Sequence, residues 1–398
     1  MTKLEQLIQE LCPNGVEYKK VKEVYIRLKG TPITAGKMKE ISNPDGDIKV
    51  FAGGKTVINA NLCDIPNANI IRVPAVLVQS RGLIDVIYYD KPFTFKNEMW
   101  AYTSDNNISV KYLYYILKNN IEKFREAAKG MGSLPQISLP VTEDFIIPIP
   151  PLEVQAEIVR ILDKFTELTK ELTTELANRK KQYEYYKDKL LCFSLEIPRK
   201  KIGEICQVKS GGTPSKSVEE YWDRGTIKWL GSSVCQNSKR INNVTNYITE
   251  EGLNHSSAKI FHADTTLIAM VGATIGKVAY LTFDAATNQN VAALYPLDIS
   301  ILYPPYLYYV CTTLYNRFRE LGKNGFTIAS LSFISDLEIP IPPLEKQKEI
   351  VRLLDRFEKL CNDISEGLPA EIEARQKQYE YYREKLLTFK EVNKQIAK

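Results

Sequence analysis

The chain contains one stretch twice, and that repetition constrains its fold more than any other feature. Residues 148–165 read PIPPLEVQAEIVRILDKF and residues 340–357 read PIPPLEKQKEIVRLLDRF, with 14 identities in 18 positions at an offset of 192. A second block follows each copy, RKKQYEYYKDKLL at 179–191 and RQKQYEYYREKLL at 375–387, at an offset of 196. The second copy therefore carries four extra residues between its blocks. Repetition this strong makes the chain a tandem of two modules.

The spacing inside each copy is helical. Pro150 and Pro151 stand where a first helical turn tolerates proline, and Glu153 follows to complement the helix dipole. Apolar residues recur three or four apart at Ile158, Leu162, Phe165, Leu168, Leu172 and Leu176, and Tyr183, Tyr186 and Leu190 continue the stripe. Residues 152–191 contain no Gly or Pro, so an unbroken helix there would be roughly 60 Å long, the length of a coiled-coil strut. The alternative is an ordinary helix broken near Asn178. In the second copy Glu366, Gly367, Leu368 and Pro369 account for the extra length, and Gly and Pro predict a kink or loop there.

The echo extends beyond the helices. VEYKKVKEV at 16–24 matches IPRKKIGEI at 197–205, and Thr31-Pro32 matches Thr213-Pro214. A short amphipathic helix at 2–11 precedes the first module, and its expected counterpart is the end of the first long helix around 190–193. Between these anchors, short β-rich runs (75–79, 85–89, 226–230, 265–271, 277–281) alternate with Gly- and Asn-rich turns. Each module then carries an aromatic helix, KYLYYILKNNIEKFRE or PYLYYVCTTLYNRFRE, and a Gly- and Ser-containing loop leading into PIPP. The module ends agree and the middles, 37–99 and 216–290, share little. The pattern predicts an α+β chain: an N-terminal helix (1–15), a mixed module (16–150), a central helix (151–193), a second module (194–342) and a C-terminal helix (343–398).

Other features bound the function. The 398 residues permit two or three domains, and a net charge of +5 leans towards a polyanionic partner. Seven cysteines lie scattered with no CxxC, which reads as a reduced, cytoplasmic protein. The start has no apolar signal core, and the longest apolar run, 267–281, contains Lys277 and is too short to span a bilayer. His255 and His262 have no cysteine beside them and read as solvated or core residues. GGKT at 53–56 lacks the first glycine of a phosphate loop, GATIGKV at 272–278 is one residue short of it, and PDGDIK at 44–49 is too tight for a metal-nuclease pair. YPPY at 303–306 resembles an amino-methyltransferase motif but has Tyr303 where an Asn or Asp would hold the amine. No catalytic or metal-ligating constellation emerges.

Nucleic-acid contact suits the loops better. KSGGTPSK at 209–216 offers Lys209, Ser210, Thr213 and Lys216 around two glycines that let backbone amides approach a phosphate. Further candidates are Lys228, Trp229, Ser232, Ser233, Gln236, Asn237, Lys239, Arg240 and Lys277, then Asn288, Gln289 and Asn290, since amides and Arg read base edges bidentately. In the first module the comparable groups are Lys29, Lys37, Lys55, Gln79, Arg81, Lys96 and Asn97. A solvated surface is the competing reading of each one alone.

Two diverged modules alternating with two near-identical helices that open IPIPPLExQxEIV resemble the specificity subunit of type I restriction-modification enzymes. The KIGE and SGGTPS segments at 201–215 and the FTEL-TKEL-TTEL run at 165–176 carry the same resemblance. It implies two target-recognition domains, each reading one half of a bipartite double-stranded DNA sequence, held apart by antiparallel helices. It also implies two docked methyltransferase subunits and restriction subunits, with catalysis, S-adenosylmethionine, Mg and ATP on those partners and no cofactor here. Tyr183, Tyr186, Tyr379 and Tyr382 of the QYEYY blocks are then candidate docking residues, unless they pack only on the opposite helix. A coiled-coil scaffold whose modules bind proteins is the alternative.

Overall fold

The computed structural model describes residues 2–54, 56–65, 67–128, 134–194, 196–239, 241, 244–323, 328–362 and 366–392. The first half runs α1 (Lys3–Leu11), β1 (Glu17–Lys20), β2 (Ile26–Leu28), β3 (Ile48–Phe51), β4 (Val57–Ala60), β5 (Ala75–Gln79), β6 (Asp85–Tyr89), β7 (Phe93–Phe95), β8 (Trp100–Thr103), α2 (Asn107–Asn119), β9 (Ile146–Ile149) and the long α3 (Leu152–Leu191). The second half runs β10 (Arg199–Lys201), β11 (Cys206–Ser210), β12 (Ile227–Leu230), β13 (Asn246–Ile248), β14 (Ile260–Phe261), β15 (Thr266–Ala269), β16 (Val278–Tyr280), β17 (Ala285–Thr287) and β18 (Val291–Pro296), then α4 (Pro304–Thr312), β19 (Glu338–Pro340), α5 (Leu344–Asn362) and α6 (Leu368–Leu386). Several short helices connect these elements.

The chain divides into two compact units: Met1–Thr173 with Glu371–Lys398, and Thr174–Ala370. The boundary falls inside α3, so each unit owns part of that helix and part of the α5–α6 pair. α3 is unbroken over its 40 residues, with no interruption at Asn178. The second strut does break: α5 ends at Asn362, Glu366 and Gly367 form a turn, and α6 starts at Leu368 with Pro369 in its first turn, where proline is tolerated.

In the first unit one sheet has the order β2-β8-β5-β6 and a second β4-β3-β7, with β3 and β7 parallel. In the second unit the orders are β11-β18-β15-β16 and β13-β12-β17-β14, with β12 and β17 parallel. The middles that share little sequence therefore share a topology, with β14 the one added strand. A two-stranded ladder, β1 with β9 or β10 with β19, ties each module's start to the strand before its helix.

The cores follow the stripe seen in the sequence. Ile158 and Leu162 of α3 bury against Tyr112, Leu113 and Ile116 of α2 in the first unit, while Ile350 and Leu354 bury against Tyr306 and Tyr309 in the second. Phe165 stacks on Tyr382 at 5.6 Å and 23°, and Phe357 on Tyr186 at 5.6 Å and 25°, the same contact from the matching residues of the two copies. In the second unit Cys361 lies near Arg179 and Lys180 and Glu358 near Tyr183, so α5 and the end of α3 run antiparallel.

The expected counterpart of α1 is corrected by the structure. Val16 N donates to Lys390 O (2.8 Å) just as Ile197 N donates to Ser194 O (3.3 Å), so the end of α3 corresponds to the end of α6. α1, capped by Thr2 and Glu5, is an addition whose Leu4 buries in the first core. The repeat of 179–191 at 375–387 already pairs the two helix ends; what the sequence did not show is that the C-terminal segment returns to Val16 from the far end of the chain.

Candidate nucleic-acid interface

The backbone places four loops of each unit together at one end of its two sheets. In the second unit Gly212 N donates to Thr287 O (2.9 Å), Asn288 N to Leu230 O (2.9 Å) and Met270 N to Asn290 O (2.9 Å). These bonds gather the segments after β11, after β12, between β15 and β16, and between β17 and β18. In the first unit Thr31 N donates to Phe95 O (2.8 Å), Lys96 N to Phe51 O (2.9 Å) and Gly54 N to Arg81 O (3.0 Å). The bonds of Thr31 and Lys96 correspond to those of Gly212 and Asn288, and one more pair matches: Ile137 N reaches Ser80 O at 2.9 Å, and Ala329 N reaches Met270 O at 2.8 Å.

Glycine makes the close approaches possible. A Cβ on Gly30 would lie 2.2 Å from Phe95 O, and one on Gly211 would lie 1.9 Å from Thr287 O. Gly82 and Gly272 turn the β5–β6 and β15–β16 connections at φ +76° and +70°. KSGGTP has two residues more than KGTP; with Gly211 matched to Gly30, Ser210 falls before the shared contact and Gly212 after it.

Most of the sequence candidates meet on this end. In the second unit Thr213 Oγ1 donates to Gln289 Oε1 (2.6 Å), and Lys277 Nζ to Gln236 Oε1 (3.2 Å). Asn288 Oδ1 accepts from Asn290 N (3.0 Å), and Ser210 and Ser232 flank them at the ends of β11 and β12. Lys216 stands exposed on the loop beyond Thr213, and Lys209 is exposed on β11. In the first unit Lys29, Arg81 and Asn97 are exposed at the loop ends. Gln79 is buried beneath them, donating to Gly54 O at 2.6 Å. Lys96 pairs with Glu98 at 3.0 Å. Burial raises the Glu98 carboxyl, but the Gly53 N–H and the Lys96 ammonium outweigh it and hold the group below its ordinary pKa.

Other candidates sit elsewhere. Lys37 pairs with Glu40 on the short helix Ala35–Glu40, and the Lys228 ammonium lies 3.9 Å over the Phe283 ring. Lys239 reaches α5, where it meets Asp355 at 2.5 Å. Lys55 and Arg240 lie outside the described residues, as do parts of the Gly- and Ser-containing loops before PIPP. Among the described residues no group of His, Cys, Asp and Glu is arranged to hold a metal ion, and no helix is long and apolar enough to cross a membrane.

The description "Type I restriction modification DNA specificity domain" matches residues 13–179 and again 196–374. The chain belongs to that family. It is a specificity subunit of a type I restriction-modification system, with two DNA specificity domains. The EcoR124I/EcoR124II specificity subunit of Escherichia coli is 40% identical over 297 residues, 72% of this chain and 72% of that one. A putative type I restriction enzyme specificity subunit of Haemophilus influenzae is 31% identical over 320 residues, 75% of this chain and 77% of the other. The crystal structure of the specificity subunit from M. genitalium has the same fold, with a TM-score of 0.59 at 19% identity over 94% of this chain and 96% of that one.

The QYEYY blocks divide their tyrosines. Tyr183 packs on the second core, Tyr186 on Phe357, and Tyr379 and Tyr382 on Phe165. Tyr185 and Tyr381 are instead 62% and 61% exposed. Helical geometry offers the missed signal: a residue two positions after Tyr183 turns about 200° away from the apolar stripe.

Proposed function

We propose that each specificity domain reads one half of a bipartite double-stranded DNA target through the four gathered loops. The observation that carries this reading is the contrast within them: three backbone bonds recur in both units, from Thr31 and Gly212, Lys96 and Asn288, and Ile137 and Ala329, while the side chains that these loops present differ. Lys96, Asn97 and Glu98 occupy in the first unit the positions of Asn288, Gln289 and Asn290 in the second, as the bonds of Lys96 and Asn288 to the neighbouring parallel strand require. Amide, Arg and Lys side chains at such positions suit base edges and phosphates. Two unlike readers then meet two unlike half-sites around an unread spacer, and the helices set the spacer length.

The same proposal makes the chain non-catalytic. S-adenosylmethionine, Mg and ATP belong to methyltransferase and restriction subunits, two methyltransferase subunits dock on the helices, and the assembly works in the cytoplasm. Tyr185 and Tyr381 are the docking anchors we favour over Tyr183, Tyr186, Tyr379 and Tyr382, because they alone present most of a ring to solvent.

Two measurements test it. Mapping methylated bases in a host with and without this gene should reveal one asymmetric, bipartite motif. Binding of a duplex carrying that motif should weaken steeply with salt as phosphate contacts release counterions. A protein-binding scaffold would give neither result.

A further inference from the structure

The two units build one feature from different parts of the sequence. In the first, Lys111 of α2 places its ammonium 2.7 Å from Asp163 of α3 and 5.3 Å from the Tyr88 ring centre, and Tyr115 Oη donates to the same carboxylate at 2.5 Å. In the second, Asp355, Tyr280 and Tyr309 stand at the corresponding positions. The lysine among them, however, is Lys239, 2.5 Å from Asp355 and 5.5 and 5.2 Å from the Tyr280 and Tyr309 rings. Lys239 belongs to no helix. It ends the segment that leaves β12 and carries Ser232 and Gln236.

Nearby contacts make this a tether. Asn237 N donates to Val278 O (2.8 Å), and Asn237 Oδ1 accepts from Val278 N (2.9 Å), laying the segment along the edge of β16. Lys239 N donates to Glu358 Oε1 at 3.0 Å. Glu358 has no counterpart in the first unit, where Thr166 stands at that place, so the second cluster holds two carboxylates around Tyr309. Burial and those carboxylates hold the Tyr309 hydroxyl protonated, far above its ordinary range, so its one proton is shared between them. A lysine is the cation that balances them. In the first unit Asp85 Oδ1 takes Val86 N at 2.8 Å, the bond that Asn237 supplies in the second, and Lys111 fills the lysine slot. Both needs are met there without the loop that follows β3.

We infer that Lys239 is a positioning residue: it fixes the DNA-reading loop after β12 to the strut helix α5, a tether with no counterpart among the described residues of the first domain. The inference rests on the proposed reading of DNA by these loops. Without the tether, Ser232 and Gln236 lose their fixed placement, and the second domain loses discrimination before it loses its fold.

Lys111 supplies a control, since its ammonium meets the corresponding carboxylate, Asp163, and the corresponding ring, Tyr88, but anchors no reading loop. Once the motif is mapped, the methyltransferase complex containing each variant is assayed on duplexes mismatched at one base pair in either half-site. Lys239→Met should lower discrimination in one half-site only, by about tenfold, the low end of what one mismatched base pair carries. Lys239→Arg should restore it. Asn237→Gly, which keeps the φ of +57° accessible, should loosen the same segment more mildly and relax the same half-site, so the test survives a misfolded Lys239→Met. Lys111→Met should leave both half-sites as they were. Unchanged discrimination with folded Lys239→Met, or an equal loss with Lys111→Met, overturns the tether. Gln236→Ala separates the two levels: if it relaxes the half-site and Lys239→Met does not, only the positioning role falls. If Gln236→Ala and Ser232→Ala both leave discrimination intact, loop reading itself is wrong.

Discussion

The loop after β2 and the loop after β11 show what the two units share and what they do not. Both are drawn to the neighbouring parallel strand by one backbone bond, Thr31 N to Phe95 O and Gly212 N to Thr287 O. Beneath the first lies a pair of hydroxyls, Thr31 and Thr94 at 2.6 Å, with Asn69 donating to Lys29 O at 2.6 Å. Beneath the second lies an indole, Trp229 Nε1 donating to Gly212 O at 2.9 Å, with Gln289 bound by Thr213. A ladder of main-chain bonds is indifferent to side chains, so the frame persists while every group standing on it changes. This arrangement suits a protein whose recognition surface must vary without refolding.

The largest expected effect breaks that comparison at its root. Replacing residues 16–148 with the equivalent segment of another family member should change the whole of one half-site and leave the other and the spacer untouched, as read by mapping methylated bases. A change in both half-sites would show that the modules do not read independently.

The spacer is the next largest effect. Leu168, Leu172 and Leu176 recur every four residues in α3, and the boundary between the units, at Thr173, falls inside this run. One more TxEL unit preserves the stripe, lengthens the helix by about 6 Å and turns it about 40° beyond a full revolution. With about 3.4 Å per base pair, inserting TTEL after Leu176 should widen the spacer by about one or two base pairs while both half-sites stay the same. Methylation at the original spacing would show that α3 does not set the distance. The second strut is the poorer place for this test, because its turn at Glu366 and Gly367 can absorb added length.

What was legible in the sequence and what was not follow from the range of the interactions. α3 and the break near Gly367 could be read because helical periodicity and Gly/Pro chemistry are local. The strands 75–79 and 85–89 could be read for the same reason. The common topology of the two middles could not, because strand pairing joins distant residues and here uses different side chains. Lys239 looked like a DNA contact because its partner, Asp355, lies 116 residues further along the chain. The glutamine shared by the two PIPPLExQ copies was visible, but not its work. Gln155 Nε2 donates to Pro150 O at 2.8 Å. Gln347 Nε2 donates to both Pro342 O and Ile301 O at 2.8 Å, and its Oε1 accepts from Tyr303 N at 2.9 Å.

That glutamine gives a smaller, quantitative test of how alike the units are. Gln347 is fully buried, and its loss would orphan the Tyr303 N–H as well as two carbonyls. Gln347→Ala should cost about 3 kcal/mol, against about 1 kcal/mol for Gln155→Ala, whose Oε1 has no partner among the described residues. Urea unfolding of the two variants measures the difference. Equal costs would mean that the extra bonds of Gln347 contribute nothing net.

The smallest expected effect on the fold concerns the feature that the two units share most closely. Tyr185 and Tyr381 occupy the same place in the two blocks and are exposed to nearly the same degree, whereas their neighbours Tyr186 and Tyr382 stack on phenylalanines of their own units. Substituting Tyr185 and Tyr381 with Ser should move stability by no more than about 0.5 kcal/mol, since surface changes away from packed features rarely do more. Removing Phe165 or Phe357, each half-buried, would strip the rings that Tyr382 and Tyr186 stack on, and should cost about 1.5 kcal/mol each. If the exposed rings anchor methyltransferase subunits, the double Ser variant should recover markedly less methyltransferase in co-purification, and each single variant about half of that deficit, because the sites are equivalent. Full recovery with the folded double variant would remove the docking role from these two tyrosines. A deficit from only one of them would show that the two units, alike in their frame, are not alike to their partners.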